Sequence, residues 1–250
     1  MLLAAVATLV AAAIQSATGL GFAMIAAPAL LAVLEPREAI TILLLLGMLV
    51  SLLLLFAERR PPAIRRRDLA VVLTAALPGL ALGVLVLEGV TKEQLQVLTG
   101  AVVIVVAAVQ LATRDSQAAS APRSGGGAAE HPVTGAGVGV LVGALTTSTS
   151  VNGPPLALWL FARGARPAEV RDTLAAAFIA LNVLGLGAVA VTGDGLSADG
   201  GYLALLIPIT AMGWLGGRPA FERLSGGGFR LVSLLVVLAA GVASMAAGLI

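Results

Sequence analysis

The 250-residue chain contains no cysteine, which excludes a disulfide scaffold and any thiolate metal or redox centre. Histidine occurs once, as His131 in a polar stretch without a metal-ligand neighbour, so no metal site is expected. Aromatic residues number nine and are not interleaved with the basic ones, which argues against a nucleic-acid partner in spite of the net charge of +2. The decisive shortage is of charge. Only 11% of residues are Asp, Glu, Lys or Arg, against about 25% in an ordinary soluble domain, and that is too few to solvate a globule of this length in water.

What fills the chain instead is apolar: 59% hydrophobic residues and 30 glycines. The solvent is therefore a lipid bilayer. The opening MLLAAVATLVAAAIQSATG has no Lys or Arg before it, the first basic residue being Arg37, so it reads as part of the mature fold rather than as a signal peptide. Crossing about 30 Å of hydrocarbon takes roughly 20 helical residues, and six uncharged stretches fit: Ala39 to Ala57, Leu69 to Leu87, Gln94 to Ala112, Thr173 to Thr192, Gly200 to Gly217 and Leu231 to Ile250. Two more, Met1 to Leu34 and Val133 to Ala162, are too long for one helix. Each is interrupted midway, the first by QSATGLG (Gln15 to Gly21) and the second by TTSTSVNGPP (Thr146 to Pro155). Irregular backbone of this kind is tolerated at membrane depth only where protein or a polar cavity covers it.

The fifteen basic residues decide how these broken segments run, because short cytoplasmic loops collect Lys and Arg. If each broken segment were a single crossing, the loops would divide the charges about evenly. If each is a hairpin returning to its own side, thirteen fall on one side and only Arg37 and Lys92 on the other. The expected architecture is thus an all-α polytopic membrane protein of two inverted repeats, each a re-entrant or broken-helix hairpin followed by three transmembrane helices. Residues 1–112 form the first repeat and 133–250 the second. Residues 113–132, rich in Gly, Ser, Pro and Ala, form a cytoplasmic linker, and both termini fall outside. An offset of 130 to 132 residues supports the duplication: it aligns Ser16 with Ser148, Thr18 with Ser150, Gly21 with Gly153, Pro36 with Pro167, Pro78 with Pro208 and Gly83 with Gly213, and sets Ser51 opposite Asn182.

Inverted repeats with matching broken helices point to a secondary transporter with its site near the bilayer midplane. The second half-helix of each hairpin, starting near Phe22 and near Pro154, presents an N-terminus with three or four backbone N–H groups lacking intrahelical partners. Such ends attract anions through N–H donation and the helix dipole. Gly21 and Gly153 allow close approach of a ligand, and Thr18, Ser148, Ser150 and Asn152 add neutral donors. The carbonyl ends of the first half-helices approach the same tips and oppose this field unless they point away. Ser and Thr also serve close helix packing, and mid-membrane Asn182 fits either an interhelical hydrogen bond or a ligand contact.

The stretches QSATGLGFAMIAAPALLAVLEP and TTSTSVNGPPLALWLFARGARPAEVRDTLAAAFIALN resemble the two signature regions of the sulfite exporter TauE/SafE family. The resemblance extends over nearly the whole chain. It implies a bacterial inner-membrane exporter of small anions, usually sulfite or organosulfonates, working without a cofactor, and it carries the Gly, Ser and Thr residues of the hairpins together with Asn182 over as site positions. The candidate substrate-binding set is Gln15, Ser16, Thr18, Gly19, Gly21, Thr147, Ser148, Thr149, Ser150, Asn152, Gly153 and Asn182. No ionisable residue lies inside the apolar stretches, so no intramembrane proton relay is drawn. The alternative is an intramembrane enzyme acting on a lipid phosphate, which also uses inverted hairpins. It would need a general acid or base and a cationic clamp in the pocket, whereas Glu35, Glu58, Glu88, Asp68 and Asp172 sit at segment ends.

The absence of native cysteine makes the topology directly measurable. A Lys92→Cys variant should react with a membrane-impermeant maleimide on intact cells, and Arg67→Cys only after permeabilisation. Equal labelling of both in intact cells would refute the hairpin topology.

Overall fold

A computed structural model describes residues 1–56, 61–112, 132–192, 195–223 and 227–249. The expected linker 113–132 lies outside these residues except for Pro132, as do His131, Glu58, Arg59, Arg60, Arg114 and Arg123. Ten helices and no strand occur among the described residues: α1 (Leu2–Thr18), α2 (Phe22–Val33), α3 (Pro36–Phe56), α4 (Arg66–Gly89), α5 (Lys92–Ala112), α6 (Pro132–Ser148), α7 (Gly153–Ala162), α8 (Pro167–Ala190), α9 (Gly200–Arg223) and α10 (Gly227–Ala247). α3, α4, α5, α8 and α9 are long and apolar enough to cross a membrane.

Helix boundaries follow local chemistry. α3 and α8 each start on a proline at the first helical position, where the missing N–H has no helical partner to lose. Glu169 closes the start of α8 by accepting from the Arg166 backbone N–H at 2.8 Å. Thr91 and Gln94 form a reciprocal box at the start of α5, with contacts of 3.0 and 3.4 Å. α1 ends at Gly19, whose φ of 83° is the left-handed cap that glycine adopts freely.

Lengths within the two broken segments are unequal. α1 and α6 have 17 residues each, whereas α2 has 12 and α7 only 10. At 1.5 Å per residue the short pair reach about 15 to 18 Å, roughly half the hydrocarbon thickness. α2 and α7 are therefore half-helices, and the two breaks lie inside the body of the protein.

Packing joins the first five helices to the last five. α4 lies along α6, α1 along α9, α5 along α10, and α3 along α8. Small residues form the seams, which lets helix backbones approach where lipid supplies no hydrophobic drive between helices. A β-carbon added at Gly79 would collide with the Val140 carbonyl, and one at Gly143 with the Ala76 carbonyl. On the α5–α10 seam, one added at Gly100 would lie 2.6 Å from the Gly241 carbonyl. The centre of the bundle is α3, whose Ile40, Ile42, Leu43, Leu44 and Leu46 are all buried. Gln96 of α5 donates to the Leu31 carbonyl at 3.1 Å, and Ser244 of α10 to the Gln96 carbonyl at 2.9 Å, tying α2 to both.

Charged groups collect at the two ends of the antiparallel α3–α8 pair. At one end, Asp68 is held between Arg65 (2.7 Å) and Arg163 (3.0 Å), and Asp172 accepts from the Ala63 N–H at 2.7 Å. At the other, Arg37 pairs with Glu88 at 2.9 Å and donates to the carbonyls of Val189, Thr192 and Gly195 around the C-terminus of α8. Lys92 sits near Glu35, at 3.6 Å, and the start of α5 follows α4 out of that same end.

Overpacking a tight seam costs about 1–3 kcal/mol. Gly79→Val should therefore lower the melting temperature of the detergent-purified protein. Gly137→Val, at a position where an added β-carbon meets nothing within 4 Å, should leave it unchanged. Equal melting of the two variants would contradict the α4–α6 seam.

Candidate functional site at the two hairpin breaks

The two interruptions meet in the middle of the bundle. A β-carbon placed on Gly153 would lie 3.7 Å from Leu20 Cβ and 3.0 Å from the Phe178 ring, so the α6–α7 turn abuts both the α1–α2 turn and α8. Between them is a cavity of about 40 Å³, lined by Gln15, Gly21, Phe22, Ala23 and Met24 from the first hairpin, Leu43, Gly47 and Ser51 from α3, Ser150 to Pro154 from the second hairpin, and Phe178 and Asn182 from α8. One water needs about 10–15 Å³ on this measure, so the space suits a small ion or a few waters. No lining residue has an ionisable side chain.

The first turn is built on left-handed glycines, with φ of 83° at Gly19 and 114° at Gly21. Gln15 bridges the break: its side-chain oxygen accepts from the Phe22 N–H at 3.0 Å, satisfying the first donor of α2. The next two N–H groups, of Ala23 and Met24, belong to residues that line the cavity. In the second turn Ser150 does the work of the glycines, with φ of 60°, the single positive value for a non-glycine among the described residues. Holding serine there costs of the order of 1–3 kcal/mol. Its carbonyl accepts from the Asn152 N–H at 3.1 Å, and the Asn152 side chain donates to Thr146 Oγ1 at 2.7 Å.

Six of the sequence-derived positions line this cavity: Gln15, Gly21, Ser150, Asn152, Gly153 and Asn182. The other six do not. Ser16 donates to the Ala13 carbonyl at 3.0 Å and faces Gly217 of α9. Thr18 donates to the Ile14 carbonyl at 2.8 Å, and Gly19 packs against Arg171. Thr147 reaches across to the Leu80 carbonyl of α4 at 2.8 Å, stapling the α4–α6 seam. Ser148 and Thr149 turn back on the carbonyls of Ala144 (2.7 Å) and Leu145 (3.3 Å) in their own helix. A hydroxyl buried among apolar side chains takes the nearest carbonyl, so hydroxyl content alone overstates the number of donors facing the cavity.

Backbone donors are likewise fewer at the second tip than helix geometry alone suggests. α7 starts Gly153-Pro154-Pro155, and proline has no N–H, so Gly153 carries the only backbone N–H among its first three residues. α2 carries one on each of Phe22, Ala23 and Met24. The two half-helices present similar dipoles but unequal hydrogen-bond donors, and Asn152 and Asn182 are the amide side chains that line the cavity beside the poorer tip.

Leu43, Gly47 and Phe178 are lining residues that sequence reading did not single out. Helical spacing contained the signal: Gly47 lies one turn before Ser51, and Phe178 one turn before Asn182, the two polar mid-helix residues that the repeat offset sets opposite each other. An added β-carbon on Gly47 would lie 3.1 Å from Asn182 Nδ2, so glycine there lets the amide stand against α3.

No curated protein and no solved structure matches the sequence. The family profile described as sulfite exporter TauE/SafE matches residues 3–244, from the first turn of α1 into the last turns of α10. With nearly the entire chain inside that match, and with helices able to span a bilayer around a central uncharged cavity, the protein belongs to the sulfite exporter TauE/SafE family of multi-pass membrane transporters.

Proposed function

We propose that this transporter exports small anions, sulfite or organosulfonates, across a bacterial inner membrane by alternating access of two inverted repeats around the cavity between α2 and α7. The observation that carries the reading is the convergence of two half-helix N-termini on one cavity without an ionisable side chain. Partial positive charge from both helix ends, the N–H groups of Ala23, Met24 and Gly153, and the amides of Asn152 and Asn182 together form a donor set for an anion. No carboxylate opposes them. A lipid-phosphate reaction would draw on a general acid or base, and none lines the cavity.

The packing pattern supports the inverted duplication. Exchanging α1–α5 for α6–α10 converts the α4–α6 contact into α9–α1, the α4–α8 contact into α9–α3, and leaves α3–α8 and α5–α10 unchanged. All of these pairings occur, as a pseudo-two-fold axis through the α3–α8 crossing requires. The two charged ends of the α3–α8 pair then lie at opposite membrane faces, with the Arg65–Arg163 end cytoplasmic and the termini outside.

Export of a monoanion needs no proton relay. A potential negative inside favours its exit by about 2.3 kcal/mol per 100 mV, roughly a 50-fold concentration ratio. In proteoliposomes, sulfite efflux should rise with an imposed inside-negative potential. Efflux that follows a pH gradient and ignores the potential would reject this drive. Gly153→Val fills the cavity against Phe178 and should abolish flux while retaining wild-type expression. Gly21→Val, which also forces a β-branched residue to φ 114°, should do the same. Unimpaired flux in both would reject the cavity as the transport site.

A further inference from the structure

We infer that the cavity takes its anion in a singly protonated form, hydrogensulfite rather than the sulfite dianion or an alkylsulfonate, and that Asn152 Oδ1 accepts a hydrogen bond from the substrate's hydroxyl. This rests on the anion-export reading above and narrows its substrate.

Asn152 stands at the N-cap of α7 and is 6% exposed. Its amide is oriented by its neighbours. Nδ2 donates to Thr146 Oγ1 at 2.7 Å, and Thr146 gives its own proton to the Val142 carbonyl at 2.7 Å. Turned the other way, the amide would set its oxygen against a hydroxyl with no proton to offer. Oδ1 is therefore the other end. An asparagine at this position ordinarily accepts from the backbone N–H two or three residues on, but those residues are Pro154 and Pro155, and proline has no N–H. No side-chain cap bond forms. Among the described residues no group donates to Oδ1, and it is not sealed from water-sized space.

Gln15, 4% exposed, is fixed in the opposite sense. Its Oε1 accepts from the Phe22 N–H at 3.0 Å, so Nε2 is its free end and finds no acceptor among the described residues. Asn182, 6% exposed, makes no hydrogen bond with either end of its amide. All three side chains line the cavity. The first hairpin thus contributes a donor, the second an acceptor that cannot be reversed, and α8 an amide able to turn either way.

A fully deprotonated oxyanion offers acceptors alone. Its oxygens suit Gln15 Nε2 and the helix N–H groups, but they leave a buried acceptor at Asn152 without a donor. The sulfonate head of an alkylsulfonate has the same defect, and a cavity of about 40 Å³ leaves little room for the alkyl group. Hydrogensulfite in its O–H form meets both requirements with one negative charge. Its unprotonated oxygens accept, and its hydroxyl donates to Asn152. A site that hydrogen-bonds a ligand's O–H rejects analogues lacking it more strongly than an apolar pocket rejects a difference of one methylene.

Sulfite flux in proteoliposomes at mildly acid pH, where hydrogensulfite prevails, tests this with methanesulfinate as competitor. Methanesulfinate keeps the charge and shape of hydrogensulfite and carries a methyl group in place of the hydroxyl. In wild type its inhibition constant should exceed the KM for hydrogensulfite by about tenfold or more, the effect of one buried acceptor left unpaired. Asn152→Ala removes the acceptor and should bring the two constants within about threefold of each other, mainly by weakening hydrogensulfite. Pro155→Ala keeps Asn152 but restores a backbone N–H that its oxygen can take as an ordinary cap, and it should narrow the gap in the same way. Should Asn152→Ala fail to fold, Pro155→Ala decides, an undiminished gap counting against the inference. Methanesulfinate competing as well as hydrogensulfite in wild type would overturn the inference and leave the export reading standing, as would a gap unchanged in both variants. Absence of sulfite flux in wild type would remove the export reading and this inference with it.

Discussion

Backbone polar groups cannot remain unpaired in hydrocarbon, and each one left so costs several kcal/mol. Sixteen of the twenty ends of the described helices can meet that requirement at a membrane surface or in a short connection there, but the four at the two interruptions after Thr18 and after Ser148 cannot. Each has to be enclosed by protein. The pairing of helices across the two halves follows from this: α9 covers the end of α1 at Ser16, α4 covers the end of α6 at Thr147, and α3 and α8 close the remaining sides. The close glycine seams exist because a helix with a side chain at these positions would stand too far off to cover the break.

Enclosure then creates the chemistry. A turn wrapped by helices and satisfied by Gln15, Thr146 and Asn152 still leaves donors that no intrahelical carbonyl reaches, on residues that line a small central cavity. The cavity has no side-chain charge, so on the proposed anion-export reading its selectivity comes from helix ends and amides. That places weight on small differences between the tips. The first has the N–H groups of Ala23 and Met24 beyond the one Gln15 takes, and Arg171 on the Ser16 carbonyl. The second has one such N–H, two prolines and a strained serine. On the proposed reading the two tips thus need not contribute equally to a ligand held between them.

Much of this was legible in the order of residues. Prolines at 36 and 167, the glycines at 19 and 21 and the Gly-Pro-Pro at 153–155 mark helix starts and stops by their own backbone preferences, which act within one turn and need no partner. The half-helices begin at Phe22 and Gly153, at and beside the Phe22 and Pro154 that the sequence indicated. The charge distribution likewise grouped Arg65, Arg163 and their neighbours apart from Arg37 and Lys92, because burying a lone charge in lipid is expensive wherever it falls. The site was only half legible. Hydroxyls at Ser16, Thr18, Thr147, Ser148 and Thr149 read as ligand donors in a string of polar residues, yet a hydroxyl takes whichever carbonyl is nearest in three dimensions, and here that is usually its own helix or a neighbouring one.

The sequence by itself determined the solvent, the lengths of the helices and the places where they break, since these depend on composition and on local backbone rules. The tertiary structure decided which side of each break faces the cavity and what stands beside it. Gly47 against Asn182, Phe178 over Gly153 and Arg171 beside Gly19 are pairs separated by 25 to 152 positions along the chain, brought together by the crossing of α3 with α8 and by the return of the second half onto the first. No local rule encodes such pairs. They arise from the one packing arrangement in which both broken helices are covered at once.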